Sequence, residues 1–214
     1  MKKVKLSLHN QASFHFGDAT GDLKICFSSD QLVSALVNNV ALIYGSDKAE
    51  LFISKMKEGE IKFSSLHYGL DFLPKTREEE RFSIPFLPRP KIDFITEADP
   101  SGFKKMKKVV YVSHKLYQYL SQKCTHYDEG KEVDVERPIA VIGSRFALLK
   151  EELNGIDLDE QALTSSPFLR VNTNPRVEVG RFVQQADNYF TQEDLMISFT
   201  DTQHYLIHPH MYFY

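Results

Sequence analysis

The densest run of side chains able to do chemistry is cationic: Lys104, Lys105, Lys107 and Lys108 crowd together and lead straight into Val109, Val110, Tyr111 and Val112. Such a run can track a phosphate backbone, and equally it can be a solvated loop whose lysines guard the end of a short buried strand. A second pair, Arg176 and Arg181, lies in the segment NPRVEVGRF. The guanidinium fork suits bidentate phosphate recognition, while charged residues on an exposed strand are also ordinary. Positions five apart on a strand face opposite ways, so both arginines reach one face only if Gly180 marks a bulge. Ser28 and Ser29 stand at a helix start, where spare backbone N–H groups can hold a phosphate, although caps more commonly serve only to begin the helix.

Histidines supply the remaining candidates. His15 and His67 fall near the ends of two strands that would neighbour each other in a ferredoxin-like sheet, where a general base reaches a ribose hydroxyl. Neither has a nameable partner, and a lone histidine at a strand end is ordinarily a half-buried polar residue. His204 and His208 stand at i, i+4, but Pro209 and the aromatic flanks make this segment a strand, which puts His208 and His210 on one face. Two nitrogens fall short of a closed metal site, so neither a metal nor another cofactor is expected. Cys26 and Cys124 belong to no C-x-x-C spacing, which excludes a zinc knuckle and a disulfide scaffold; two free thiols suit the cytoplasm.

The elements that must position these groups follow from periodicity. Val4, Leu6 and Leu8 alternate with Lys5, Ser7 and His9, a half-buried strand that resumes at Phe14 and Phe16 and ends at Gly17. Ser28 with Gln31 forms a capping box, Leu32 through Tyr44 repeat at helical spacing, and Gly45 stops the helix. Asp47 and Glu50 open a shorter helix that Gly59 closes, and alternation over Ile61–Leu66 predicts the next strand. Strand, helix, strand is the order of a ferredoxin-like half. Pro74, Pro85, Pro88 and Pro90, among Arg77, Glu78, Glu79, Glu80 and Arg81, then predict an extended excursion out of the sheet rather than a helix or central strand. Val109–Val112 predicts a short buried strand and His114–Leu120 a helix, while Arg176–Arg181, Leu195–Phe199 and His204–Tyr214 predict strands.

Charge sets the outer bounds. The 214 residues are 42% hydrophobic, enough for one large domain or two small ones, and the net charge is −3. Any nucleic-acid contact therefore comes from local patches. Asp128, Glu129, Glu132, Asp134 and Glu136, with Glu151, Glu152, Asp157, Asp159 and Glu160, would repel RNA and are expected to face solvent or a basic partner. Met1-Lys2-Lys3 looks like the start of a signal peptide, but no apolar stretch follows, and no segment has the length and apolarity of a membrane span.

The wording of several segments is more specific. FHFG, SSDQLVSALVNNVALIYG, FISKMKEGEIKFSSLHYGLDFLPK, FLPRPKI, FKKMKKVVYVS and NPRVEVGRFVQQADNYF, in that order, resemble the RAMP proteins of CRISPR systems. They are most similar to the subunit-four family of the type III-A (Csm) effector, which caps the five-prime tag of the guide RNA. The resemblance implies a non-catalytic, RNA-binding, antiviral-defence subunit whose partners are the guide RNA (crRNA), a large polymerase-like subunit and a backbone RAMP subunit. It implies a thumb-like element in the proline-rich stretch. It adds Gly17, Lys75, Arg89 and Lys91, which lie in or beside these motifs, to His15, Ser28, Ser29, Lys104, Lys105, Lys107, Lys108, Arg176 and Arg181 as RNA-binding candidates. The family's glycine-rich loop near the C-terminus has no counterpart after Tyr189, so the second half is expected to be shortened or diverged.

The expected fold is therefore α+β: a ferredoxin-like (RRM-like) RAMP domain over 1–125 with a proline-rich insertion at 71–103, an acidic connection over 126–169, and the start of a second ferredoxin-like half over 170–214. Two rival functions stay open: a guide-processing endoribonuclease of the same superfamily, and a scaffold that touches only protein.

Overall fold

The computed structural model describes residues 2–16, 23–76, 80–91, 94–95, 106–123, 133–153, 168–179 and 186–214. Strands β1 (Val4–Ser7) and β2 (Ala12–Phe14) precede helices α1 (Ser29–Tyr44) and α2 (Ser46–Lys57). Then come β3 (His67–Pro74), β4 (Phe82–Pro88), β5 (Phe94–Ile95), β6 (Tyr111–Ser113), α3 (His114–Lys123), β7 (Val133–Asp134), β8 (Ile139–Ile142) and β9 (Phe146–Leu149). The chain closes with β10 (Leu169–Val179), β11 (Ala186–Ile197), β12 (Thr200–Asp201) and β13 (Tyr205–Phe213). The class is α+β, and a mixed sheet carrying helices fits the ferredoxin-like RAMP expectation.

The large sheet runs β1-β13-β3-β4-β6-β9-β8, with β12 attached to β13. Its pairs are antiparallel except β6 with β9. The C-terminal strand β13 lies between β1 and β3, pairing Ser7 with His210 on one side and His210 with Gly69 on the other. A three-stranded sheet runs β10-β11-β2. Strands from the first 125 residues and from the last 45 thus share both sheets, and β8 and β9, from the stretch read as an acidic connection, join the large one.

Each element has a local cause. The capping box is present: Gln31 N donates to Ser28 Oγ and Ser28 N to Gln31 Oε1. Gly45 ends α1 with φ of 87°, a conformation costly for any residue with a side chain, and its N–H donates to Ala41 O. One face of the large sheet buries Tyr68, Leu70, Phe72, Ile84, Phe86, Ile207 and Met211 in the main core. The alternation along β3, β4 and β13 is what sends these side chains to one side.

Three expectations are corrected. The strand expected over Ile61–Leu66 begins only at His67, because the earlier residues make isolated bonds (Ser64 N to Tyr214 O, Leu66 N to Phe27 O) rather than a ladder. Part of the proline-rich stretch is sheet: β4 pairs with β3 through Phe82–Pro85, then with β6 through Phe86–Pro88. The change of partner lets the missing Pro85 N–H fall at a ladder's end, where it costs little. The strand expected at Val109–Val112 is Tyr111–Ser113, since Val109 N closes a turn onto Met106 O. The bulge expected at Gly180 lies outside the described residues; within them the hairpin register shifts between Glu178 and Val179. Among the described residues no helix is long and apolar enough to cross a membrane.

Candidate nucleic-acid interface

Strands β10 and β11 form a long hairpin, and alternation gives it two unlike faces. At its root, Leu169, Leu195 and Ile197 are buried in the core. Further along that same face stand Thr173 and Glu193, both exposed, so the hairpin leaves the core as an arm. The opposite face carries Asn172, Asn174 and Arg176 on β10, Gln192 and Asp194 on β11, and, across β2, Ser13 and His15.

Asp194, itself buried, gathers this face. Its carboxylate accepts from Asn174 Nδ2 at 2.8 Å and from Gln192 Nε2 at 3.1 Å. Arg176 lies 3.9 Å and His15 Nδ1 3.8 Å from its oxygens. His15 Nδ1 also meets Glu193 O at 2.7 Å, which requires the proton on Nδ1. Two candidates far apart in sequence, His15 and Arg176, are thus brought together. The residue that joins them, Asp194, was missed: an acidic residue gives no local sign of affinity for RNA, and only the hairpin register places it between them.

The other candidates fall elsewhere. At the start of α1, Ser28 N is taken by Gln31, Ser29 N by Ser65 Oγ at 3.1 Å and Gln31 N by Ser28, so those donors serve the fold. Lys75 pairs with Asp201. Arg89 donates to Met106 O at 2.7 Å through its guanidinium, and its N–H donates to Val110 O, which ties down the turn carrying Lys107 and Lys108. Both of those lysines and Lys91 are exposed. Gly17, Lys104, Lys105 and Arg181 lie outside the described residues. The expectation that His15 and His67 sit on neighbouring strands is corrected: His15 follows β2 in the three-stranded sheet, and His67 opens β3 in the large one, because β13 separates β1 from β3.

A second polar surface went unnoticed in the sequence. On the large sheet, the side away from the core carries Lys3 and Lys5, His67 and Asp71, Ser83, and His208, His210 and Tyr212. Asp71 is buried and pairs with Lys5; Arg81 stands 3.7 Å from the same carboxylate oxygen, and His210 Nδ1 is 3.5 Å from the other. Burial by itself pushes the Asp71 carboxyl up, but the hydrogen bond from Lys5, the proximity of His210 and the bond from Ser83 hold it below its usual value. His210 is pushed down to about 4, chiefly by burial, against the pull of Asp71. Burial also lowers His67 and His208. The His210 ring lies directly over Gly69: a Cβ there would meet Nε2 at 2.4 Å. Among the described residues no group of three or more histidine, cysteine or carboxylate side chains is arranged to hold a metal ion.

No protein-family model matches the chain. Over 125 residues it is 33% identical to the CRISPR system Cms protein Csm4 of Methanocaldococcus jannaschii, a stretch covering 56% of this chain and 30% of that protein. The chain thus spans less than a third of the length of the relative it matches. That relative is of the family that the motifs from FHFG to NPRVEVGRF resemble.

Proposed function

We propose that this chain is a non-catalytic subunit of a type III CRISPR effector that grips the five-prime tag of the guide RNA with the polar face of the β10–β11 arm. One observation carries the reading: the convergence of His15, Asn172, Asn174, Arg176 and Gln192 around Asp194 on a projecting hairpin. Amide side chains offer donors and acceptors to base edges, and a guanidinium offers its fork to phosphate. Single-stranded RNA is read through such exposed edges. In a chain of net charge −3, RNA affinity has to be local, and Arg176, half-exposed 3.9 Å from Asp194, is a cation that this face can turn to phosphate. The similarity to a CRISPR Csm4 protein supports the same assignment and, with it, docking to a large polymerase-like subunit and a backbone RAMP subunit.

The reading is tested by incubating purified protein with labelled repeat RNA. Retention without cleavage is expected. Arg176→Ala should cost about 1 to 3 kcal/mol of affinity, the range for a charge-assisted hydrogen bond lost at a partly desolvated site. Cleavage that disappears in a His15→Ala/His67→Ala double variant would make the protein an endoribonuclease instead, and absence of any interaction with RNA would leave a protein-only scaffold.

A further inference from the structure

We infer that the polar face of the large sheet is a second site for single-stranded RNA, where Lys3, Lys5 and Arg81 receive backbone phosphates and Asp71 limits the strength of their grip. The inference rests on the RNA-binding reading of the arm, but it concerns a different sheet and residues that reading does not use.

The register assembles the site. Lys5 on β1 stands opposite Tyr212 on β13, which stands opposite His67 on β3; two residues along, His208 faces Asp71, which faces Ser83 on β4. All point away from the core, because their neighbours Tyr68, Leu70, Phe72, Ile207 and Met211 fill it. Lys3 extends the row, its ammonium 4.2 Å from the centre of the Tyr212 ring.

Three observations point to an anionic, hydrogen-bonding ligand. First, the charges do not balance. Among the described residues, Lys5 and Arg81 share one oxygen of Asp71, and Lys3, over the Tyr212 ring, adds a third cation nearby. The histidines among them stay neutral near pH 7, His67, His208 and His210 all being lowered by burial. Second, the lysines repel one another: partial burial and then Lys5 push the Lys3 ammonium below the usual lysine range, and a phosphate between them would relieve both. Third, the layer beneath holds polar atoms without a hydrogen-bond partner, namely His67 Nδ1, Asp71 Oδ1, His208 Nε2 and both ring nitrogens of His210, a residue only 2% exposed. Buried groups of this kind are ordinarily satisfied, and water drawn in beneath a bound strand would supply the missing partners.

The spacing favours a nucleic-acid strand over a lone anion. In an extended chain the two-residue step from Lys3, just before β1, to Lys5 spans about 7 Å, a step comparable with that between successive phosphates of an extended strand, and Arg81, before β4, reaches the same Asp71 oxygen as Lys5. Lys3, Lys5 and Arg81 are accessible, and Arg81 is 64% exposed at its side chain.

The test measures binding of a fluorescein-labelled single-stranded RNA to the full chain by anisotropy over a range of KCl concentrations. Lys3→Gln and Arg81→Gln should each lower the log–log salt slope by about 0.7, and the double variant by about twice that. Asp71→Asn should raise affinity on the order of threefold at low salt by removing the charge that opposes phosphate. A loss of folding works in the other direction, so a gain cannot be mistaken for it. If Asp71→Asn fails to fold, Lys3→Gln and Arg81→Gln decide alone, since both side chains lie at the surface. An unchanged slope in the double variant, with wild-type RNA binding that still depends on Arg176, overturns the sheet-face site and leaves the arm standing. Absence of RNA binding by the wild-type chain overturns both.

Discussion

His210 gives the fold a specific sensitivity to acid. Its ring is buried among Asp71 on β3, Lys5 on β1, Lys3 just before it and Arg81 before β4, and burial brings its pKa from 6.5 to about 4. Above pH 6.5 the ring is neutral whether the chain is folded or not, and it adds no pH dependence. As pH falls, the unfolded ring takes up a proton and the folded ring does not, so stability is lost through the window from 6.5 down to 4 and no further below it. With these values the loss is about 2 kcal/mol at pH 5 and about 3 kcal/mol at pH 4. His67 and His208, also lowered by burial, lose stability in the same direction. Asp71, held below its usual value, contributes only at still lower pH. The assay is urea unfolding at a series of pH values for the wild type and for His210→Gln, which keeps a polar side chain of similar reach but cannot titrate. The wild type should lose about 2 kcal/mol more than the variant between pH 7 and pH 5. Parallel curves over that interval would show that His210 is protonated in the fold, and the account of a buried neutral ring would fail.

Two further outcomes follow from packing. Gly69→Ala places a Cβ within 2.5 Å of two atoms of the His210 ring and should cost about 1 to 3 kcal/mol, as overpacking does; a His210→Ala background should abolish most of that cost, and equal costs in both backgrounds would refute the clash. Leu42→Ser and Ile43→Ser, at residues 85% and 68% exposed, should leave the unfolding free energy from urea titration within about 0.5 kcal/mol of wild type; a larger loss would mean that the end of α1 is packed against the rest of the chain.

The parts of the fold that declared themselves in the sequence are those fixed by neighbours in the chain. Ser28 with Gln31 and then Gly45 bound α1 because capping is local chemistry, and Pro209 with its aromatic flanks marked β13 as a strand because a helix does not accommodate them there. What escaped depends on partners distant in sequence. Ile139–Ile142 and Phe146–Leu149 are continuous apolar runs, the second buried on both sides, and such runs carry no period to detect. β4 escaped because two prolines argue against a central strand unless the strand changes partner between them, and that change is a property of the sheet.

The candidate sites divide along the same line. Arg176 of NPRVEVGRF and the histidine of FHFG could be singled out by type, but that both meet Asp194 follows only from the β10–β11–β2 register. The sheet-face cluster was less legible still. His208 and His210 visibly share one side of their strand, yet two imidazoles suggest only an incomplete metal site until β13 inserts between β1 and β3. That insertion sets Asp71 beside one histidine and in reach of the other, and it brings Lys5 onto the same carboxylate. It also explains Gly69, which looks like an unfavourable residue in mid-strand: a buried ring crosses it on the neighbouring strand, and no side chain fits beneath. The same pairing that creates the buried histidine layer lifts Lys3 and Lys5 over it. A face able to meet phosphate and a core sensitive to acid are therefore two consequences of one strand order, and a substitution such as Asp71→Asn has to move both together.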